Sequence, residues 1–350
     1  SDLEPGLGRL VGGTFVPSLM SAGSATIFPS NMAIAATGDV RDALEVGRII
    51  GREARAVGIH LAFAPTVDVN NNPANPVIST RSFGEDPQRV AELSAAFIRG
   101  MQSEGVAATA KHFPGHGDTD TDSHLALPVV RSDAARLAAV ELVPFRASID
   151  AGVVGVMTAH VALPAVGIDS SPATLEPRIV TSLLRDSLGF RGLAITDALR
   201  MQAVGQGYTP EQAAVLAVQA GADILLSPTD VTRTIDAVTA AVEQGTIPAG
   251  RIERSVRRIL ELKARTRAAR HPIVSLDSLR QQVGGPAHWA LARDIAARAI
   301  TLLRDSAALV PAPRDGRLAL VTYAPELDVT AGRAFAAELR AGFRPLRSAE

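Results

Sequence analysis

Short apolar runs, alternating with amphipathic stretches, constrain this chain more than any other feature. The runs are 59–69, 106–113, 153–160, 193–197 and 223–227. Each is almost continuously apolar, as a parallel strand covered on both faces must be. Helical patterns fill the intervals, at 39–57, 86–104, 133–151, 177–188, 210–220 and 230–244. Asp86-Pro87 and Thr209-Pro210 read as helix starts, with a capping side chain before a proline at the first helical position. The repeated strand–helix order predicts a parallel sheet flanked by helices.

Polar residues gather at the carboxyl ends of those runs. Asp68 and Asn70 follow the first, Lys111 and His112 the second, His160 the third and Asp197 the fourth. This polarity predicts an α/β fold, a (β/α)8 TIM-type barrel with its site at that face. An open doubly wound sheet would place its site there too, but no glycine-rich phosphate loop follows any of the strands. Five runs fall short of eight. Ser1-Asp2 reads as the end of a strand feeding a glycine-rich loop, so the expectation over 1–270 is a barrel lacking its first two or three strand–helix units. An Arg-rich amphipathic helix at 249–270 closes that part, and 271–285 reads as a linker. A helix at 286–303, a strand at 316–323 and a helix at 330–342 suggest the beginning of a second, truncated α/β domain over 286–350.

Composition excludes several classes. A net charge of −1 over 350 residues offers no basic face to a nucleic acid. The absence of cysteine rules out disulfides, thiolate metal ligands and a cysteine nucleophile. The uncharged run 151–168 contains glycines, Pro164 and His160 and reads as a buried strand and loop, not a membrane span. No charged segment followed by an apolar one, as in a secretory leader, opens the chain.

The chemistry concentrates in residues 111–128, KHFPGHGDTDTDSHLALP. Lys111, His112, His116, Asp118, Asp120, Asp122 and His124 fall together among glycines and a proline. Such a run suits a loop leaving a buried strand. Only Lys111 and Lys263 are lysines among 35 basic residues, so Lys111 stands where arginine would not serve. His112 and His116 have zinc-helix spacing, but Pro114, Gly115 and Gly117 forbid a regular helix. Asp118, Asp120 and Asp122 imitate the start of a calcium loop, yet Ser123 and Val129 occupy the positions where Gly and Glu are required. Asp122-Ser123-His124 places a carboxylate two residues from an imidazole, on the same side of an extended segment, where it can orient the ring as a base. Asp197, at the end of a buried strand, could cap the next helix or act as a nucleophile on a rigid element.

With RSFGEDP at 81–87 and the Asp197 segment, the 18-residue loop resembles glycoside hydrolase family 3, and most closely its bacterial NagZ-like β-N-acetylglucosaminidase branch. The resemblance runs from Asp2 to about residue 265, and ARDIAARAITLLRD resembles the opening of the family's second domain. It implies a retaining, exo-acting glycosidase with Asp197 as nucleophile, His124 as general acid/base and Asp122 paired with His124. It implies that Lys111, His112, Arg81 and Asp2 bind sugar hydroxyls, with Arg9 nearby, and that neither a metal nor an organic cofactor is needed. The substrate implied carries a terminal N-acetylglucosamine, from peptidoglycan or chitin, and an exported location is favoured over the cytoplasm. A phosphorylase, a family β-glucosidase and a non-catalytic sugar-binding module are the alternatives. Ala198 departs from the Asp often found after the nucleophile in this branch.

Overall fold

The computed structural model describes residues 1–7, 25–269, 273–311, 319–323 and 332–342. The chain divides into two compact units, Ser1–Ile300 and Thr301–Glu350.

The first unit is built on parallel staves. Strands β1 (Thr109–Phe113), β2 (Gly155–Thr158) and β3 (Leu193–Thr196) pair in chain order, all parallel, and every residue in them is buried. The expected strand 59–69 lies beside β1 through two separate bridges, Leu61 to Ala107 and Thr66 to Lys111. Between the two bridges this stave advances five residues against four of the next, so the register slips by one. Ser1 extends the wall on the other side of that stave, donating to Leu61 O and accepting from Phe63 N. The run 223–227 reaches β3 through one bridge, Ile195 to Ile224. Among the described residues these six staves form one arc of a barrel wall, in sequence order.

Helices cover the outside of the arc. Helix α1 (Asn31–Ala36) precedes α2 (Val40–Ala56), whose first turn is capped by the Asp39 carboxylate. Asp86 caps α3 (Pro87–Ser103) by accepting from Gln88 N and Arg89 N, as the Asp-Pro signal predicts. Thr209 and Gln212 form a reciprocal capping box at the helix Pro210–Ala220. The expected helix 133–151 is two, α4 (Ala134–Ala139) and α5 (Leu142–Asp150), and 178–187 is wound wider than an α-helix.

Glycines let α2 and α3 touch. A Cβ on Gly47 would collide with the carbonyl of Phe97, and one on Gly100 with the carbonyl of Leu44. The backbones therefore approach without side chains between them, while Val46, Ile50, Phe97 and Met101 fill the flanking core.

A buried carboxylate ties the amino ends of the last staves together. Asp223 accepts from Arg185 (2.6 Å), Arg258 (3.0 Å), Ser255 (2.6 Å) and the Ala194 N–H (3.0 Å). Arg258 and Ser255 lie on the helix Ala249–Arg265, which ends five residues short of the expected 270.

The boundary expected at 271–285 lies elsewhere. That stretch holds a helix, Leu276–Gln282, and the following helix Pro286–Arg298 packs on the first unit. Ala292 and Ile295 join its core, His288 Nδ1 lies 2.8 Å from the buried Glu53 carboxylate, and Arg298 bonds Asp42 at 2.7 Å. Burial of an apolar face, the His288–Glu53 hydrogen bond and the Arg298–Asp42 ion pair hold this helix in place. In the second unit a helix spans Arg333–Gly342. Part of the expected strand 316–323 lies outside the described residues, and 319–323 form no ladder among those described.

Gly100→Ala is expected to cost on the order of 1–3 kcal/mol, because the helix pair must separate to admit the methyl group. Urea unfolding measures it, and a loss below about 0.5 kcal/mol would contradict the close-contact reading.

Candidate active site

The carboxyl ends of the staves open into a cavity of about 520 Å³. Asp2, Arg81, Lys111, His112, His124 and Asp197 all line it, together with Glu4, Ser123 and Arg200. Six of the seven residues singled out from the sequence therefore share one space, and the seventh, Asp122, is bonded to His124. Arg9 lies outside the described residues.

Lys111 is on β1, and its side chain is only 3% exposed. An ammonium so far from water needs carboxylates. Asp2 Oδ1 lies 2.9 Å from Nζ and Glu4 Oε1 3.4 Å. Glu4 also pairs with Arg81 Nε at 3.1 Å and accepts a short hydrogen bond from the Thr66 hydroxyl. Burial pushes the Glu4 carboxyl up, but Lys111, Arg81 and the Thr66 hydroxyl outweigh it and hold it at about 2, against an ordinary 4.5. Asp2 and Glu4, two residues apart at the start of the chain, both reach Lys111, Glu4 from the turn that follows the first stave. Glu4 is not among the residues that the sequence singles out, although its two-residue spacing from Asp2 in Asp-Leu-Glu is a signal for it.

The next residue, His112, is set by a carboxylate beneath it. Asp68, fully buried at the end of the second stave, lies 2.8 Å from His112 Nδ1. It also accepts from the backbone N–H of His112 (3.2 Å) and of His116 (2.7 Å). Burial works against its charge, but the His112 ring and these N–H donors hold the Asp68 carboxyl below its ordinary value. A carboxylate only accepts, so Nδ1 of His112 carries the proton and Nε2 is the free nitrogen.

Asp197 follows β3 and is partly buried. Its Oδ1 accepts from the Ala198 N–H at 2.7 Å, and its own N–H donates to Thr158 O of β2. Desolvation raises its carboxyl, but His112, His160, the Ala198 N–H and Lys111 prevail and keep it below the ordinary aspartate value. His160 is buried beside it, with Nδ1 2.9 Å from the Thr174 hydroxyl and Nε2 3.1 Å from Ala198 O. Burial lowers the His160 imidazole, so this ring supports the site in its neutral form.

His124 rides on the loop that follows β1. The root of that loop is anchored: Asn75 Nδ2 donates to His116 O (2.8 Å) and Gly117 O (3.0 Å). Gly117 lies so close to Val69 O that a Cβ would collide with it. The tip carries His124 with its side chain 65% exposed and Nδ1 2.7 Å from Asp122 Oδ1. The same oxygen accepts the His124 backbone N–H at 2.8 Å. Asp122 loses some solvation, but the two His124 bonds outweigh that and hold its carboxyl below the ordinary value. Nδ1 thus carries a proton to Asp122, and Nε2 is free to exchange one. The tip rests on the segment after Asp197, for Ser123 O accepts from Ala203 N at 3.3 Å and Leu125 O from Gln206 Nε2 at 3.1 Å.

The arrangement holds an ionised carboxylate, an oriented imidazole and a pocket rich in hydroxyl-binding groups. It suits acid-assisted nucleophilic displacement on a polyhydroxylated substrate.

Comparison with known proteins follows this geometry. The family model described as the glycosyl hydrolase family 3 N-terminal domain matches residues 15–262. Beta-hexosaminidase A of Pseudoalteromonas piscicida is 37% identical over 311 residues, which cover 81% of this chain and 51% of that protein. The solved glycoside hydrolase family 3 beta-N-acetylglucosaminidase of Paenibacillus sp. str. FPU-7 superposes with a TM-score of 0.76 at 47% identity, covering 81% of this chain and 54% of that one. A beta-glucoside phosphorylase, BglX, solved with 2FGlc, gives a TM-score of 0.78 at 30% identity, covering 82% and 54%. The chain spans about half the length of the curated relatives named beta-hexosaminidase A and beta-N-acetylglucosaminidase/beta-glucosidase that it matches.

The pH dependence of stability tests the Glu4 cluster. A carboxyl depressed in the folded state contributes stability that is full above pH 4.5 and is lost as pH falls toward 2. Glu4→Gln should cost on the order of 3 kcal/mol near neutrality, by breaking a buried ion pair. The gap from the parent should narrow as the solution is taken from pH 5 to pH 2 in denaturant titrations. A constant gap would sink the assignment.

Proposed function

This chain belongs to glycosyl hydrolase family 3, and from that premise we propose that it is a retaining, exo-acting β-N-acetylglucosaminidase. One observation carries the reading: Asp197 and His124, from different loops, line the same cavity over a floor made by Lys111 and His112. The relatives named for β-hexosaminidase and β-N-acetylglucosaminidase activity support the sugar.

In the first step the Asp197 carboxylate attacks the anomeric carbon. The glycosidic bond breaks, its electron pair goes to the leaving oxygen, and protonated His124 delivers a proton there. Asp122, bonded to Nδ1, stabilises the imidazolium and aims Nε2. In the second step neutral His124 removes a proton from water. The oxygen attacks the glycosyl-enzyme ester, and the Asp197 carboxylate leaves. An imidazole suits both roles near neutral pH, because its ordinary pKa lies close to 7. Lys111, His112, Arg81 and Asp2 bind the hydroxyls of the terminal sugar. Lys111 reaches them as a point charge already held by Asp2 and Glu4, so little freedom is lost on binding. Terminal N-acetylglucosamine units of peptidoglycan or chitin fragments are the proposed substrates.

Phosphate in place of water is the second reading. A neutral imidazole does not repel an anionic acceptor as a carboxylate would, and BglX carries the name of a phosphorylase. Turnover with and without phosphate separates the two. A phosphate-dependent rate yielding the sugar 1-phosphate would replace hydrolysis.

Asp197→Ala should lower kcat about 10⁴-fold or more. His124→Ala should cost about 10²- to 10⁴-fold on aglycones that need protonation. It should cost far less in the first step on a dinitrophenyl glycoside. Asp122→Ala should cost less than His124→Ala, and an equal or larger loss would break the dyad assignment. Steady-state kinetics on a series of aryl glycosides provides the test.

A further inference from the structure

We propose that Arg200 selects for an oxyanion on the leaving-group side of the cavity. The inference rests on the glycosidase reading above and adds a specificity residue to it. Arg200 lines the same cavity as Asp197 and His124, yet its side chain is exposed. The other two fixed cations of the cavity are already satisfied: Lys111 by Asp2 and Glu4, and Arg81 by Glu4. Arg200 has no carboxylate partner among the described residues. Its neighbours in sequence, Ala198, Leu199 and Met201, offer none.

Its position follows from how the His124 loop is seated. Ser123 and Leu125, on either side of His124, are bonded to Ala203 and Gln206, a few residues beyond Arg200. The backbone between is pinned, with Leu199 N donating to Leu226 O at 2.9 Å and Met201 N to Ala198 O at 3.0 Å. Arg200 and the general acid therefore share one flank. Asp2 belongs to the first stave, at the opposite edge of the arc, and pairs with Lys111; in the reading above these two grip the terminal sugar. The acid must face the leaving oxygen, so Arg200 faces the aglycone. A guanidinium there matches a carboxylate or phosphate in a two-point hydrogen bond. The anion is either a group on the aglycone or a free oxyanion occupying the acceptor position.

Binding separates this inference from the catalytic one. In an Asp197→Ala background of the intact protein, calorimetry compares 4-carboxyphenyl and 4-carbamoylphenyl N-acetyl-β-glucosaminides, with inorganic phosphate titrated as a third probe. An anion on the aglycone predicts that the carboxylated glycoside binds more tightly, and that Arg200→Gln reduces this preference roughly three- to tenfold. A free oxyanion predicts instead that phosphate binds measurably and that Arg200→Gln weakens it by a similar factor. Arg200→Lys should retain part of either effect, and a melting curve matching the parent shows that the fold is intact. If both glycosides bind and neither their ratio nor phosphate responds to Arg200→Gln, the inference is overturned. If neither glycoside binds, the glycosidase reading itself fails.

Discussion

A carboxylate buried away from the surface organises this site. Asp68 ends one stave, and its two oxygens receive two backbone N–H groups and an imidazole from the neighbouring stave and its loop. Each donor lowers the cost of the buried charge, and each loses freedom in return. His112 is thereby fixed in ring orientation and tautomer before any ligand arrives, and the first turn of the His124 loop is tied to the barrel wall. Asp197 is then held ionised partly by the ring that Asp68 orients.

A second buried carboxylate serves the opposite end of the sheet. Asp223 gathers guanidinium groups from Arg185, Arg251 and Arg258 around the start of the last stave. No catalytic role falls to it, for the cavity lies at the other face. The two ends divide the work: one charge cluster locks the wall of helices to the sheet, and the other presents reactive groups, as barrels of this class do.

Much of the site was legible because its chemistry demands unusual residues in one place. A lysine in an arginine-using chain, three histidines and three aspartates amid glycines do not arise from packing alone. Glu4 and Asp68 are harder to see. Their significance lies in partners distant in the chain: Glu4 meets Arg81 and Thr66, and Asp68 meets His112 and His116. The linker reading of 271–285 failed for a related reason. Local composition does not report that Glu53, 235 residues before His288, supplies the hydrogen bond that helps hold the next helix in place.

The order and direction of the staves, the face on which the candidate residues gather and the identity of those candidates follow from the sequence alone. They are local facts: period, capping and the polarity of each strand's end. Tertiary structure decided which charges neutralise one another, how closely α2 and α3 pack at Gly47 and Gly100, and which cation in the cavity has no carboxylate partner among the described residues. Those outcomes depend on distances between segments far apart in the chain, and electrostatic and steric energies change steeply with distance, so only the folded arrangement can set them.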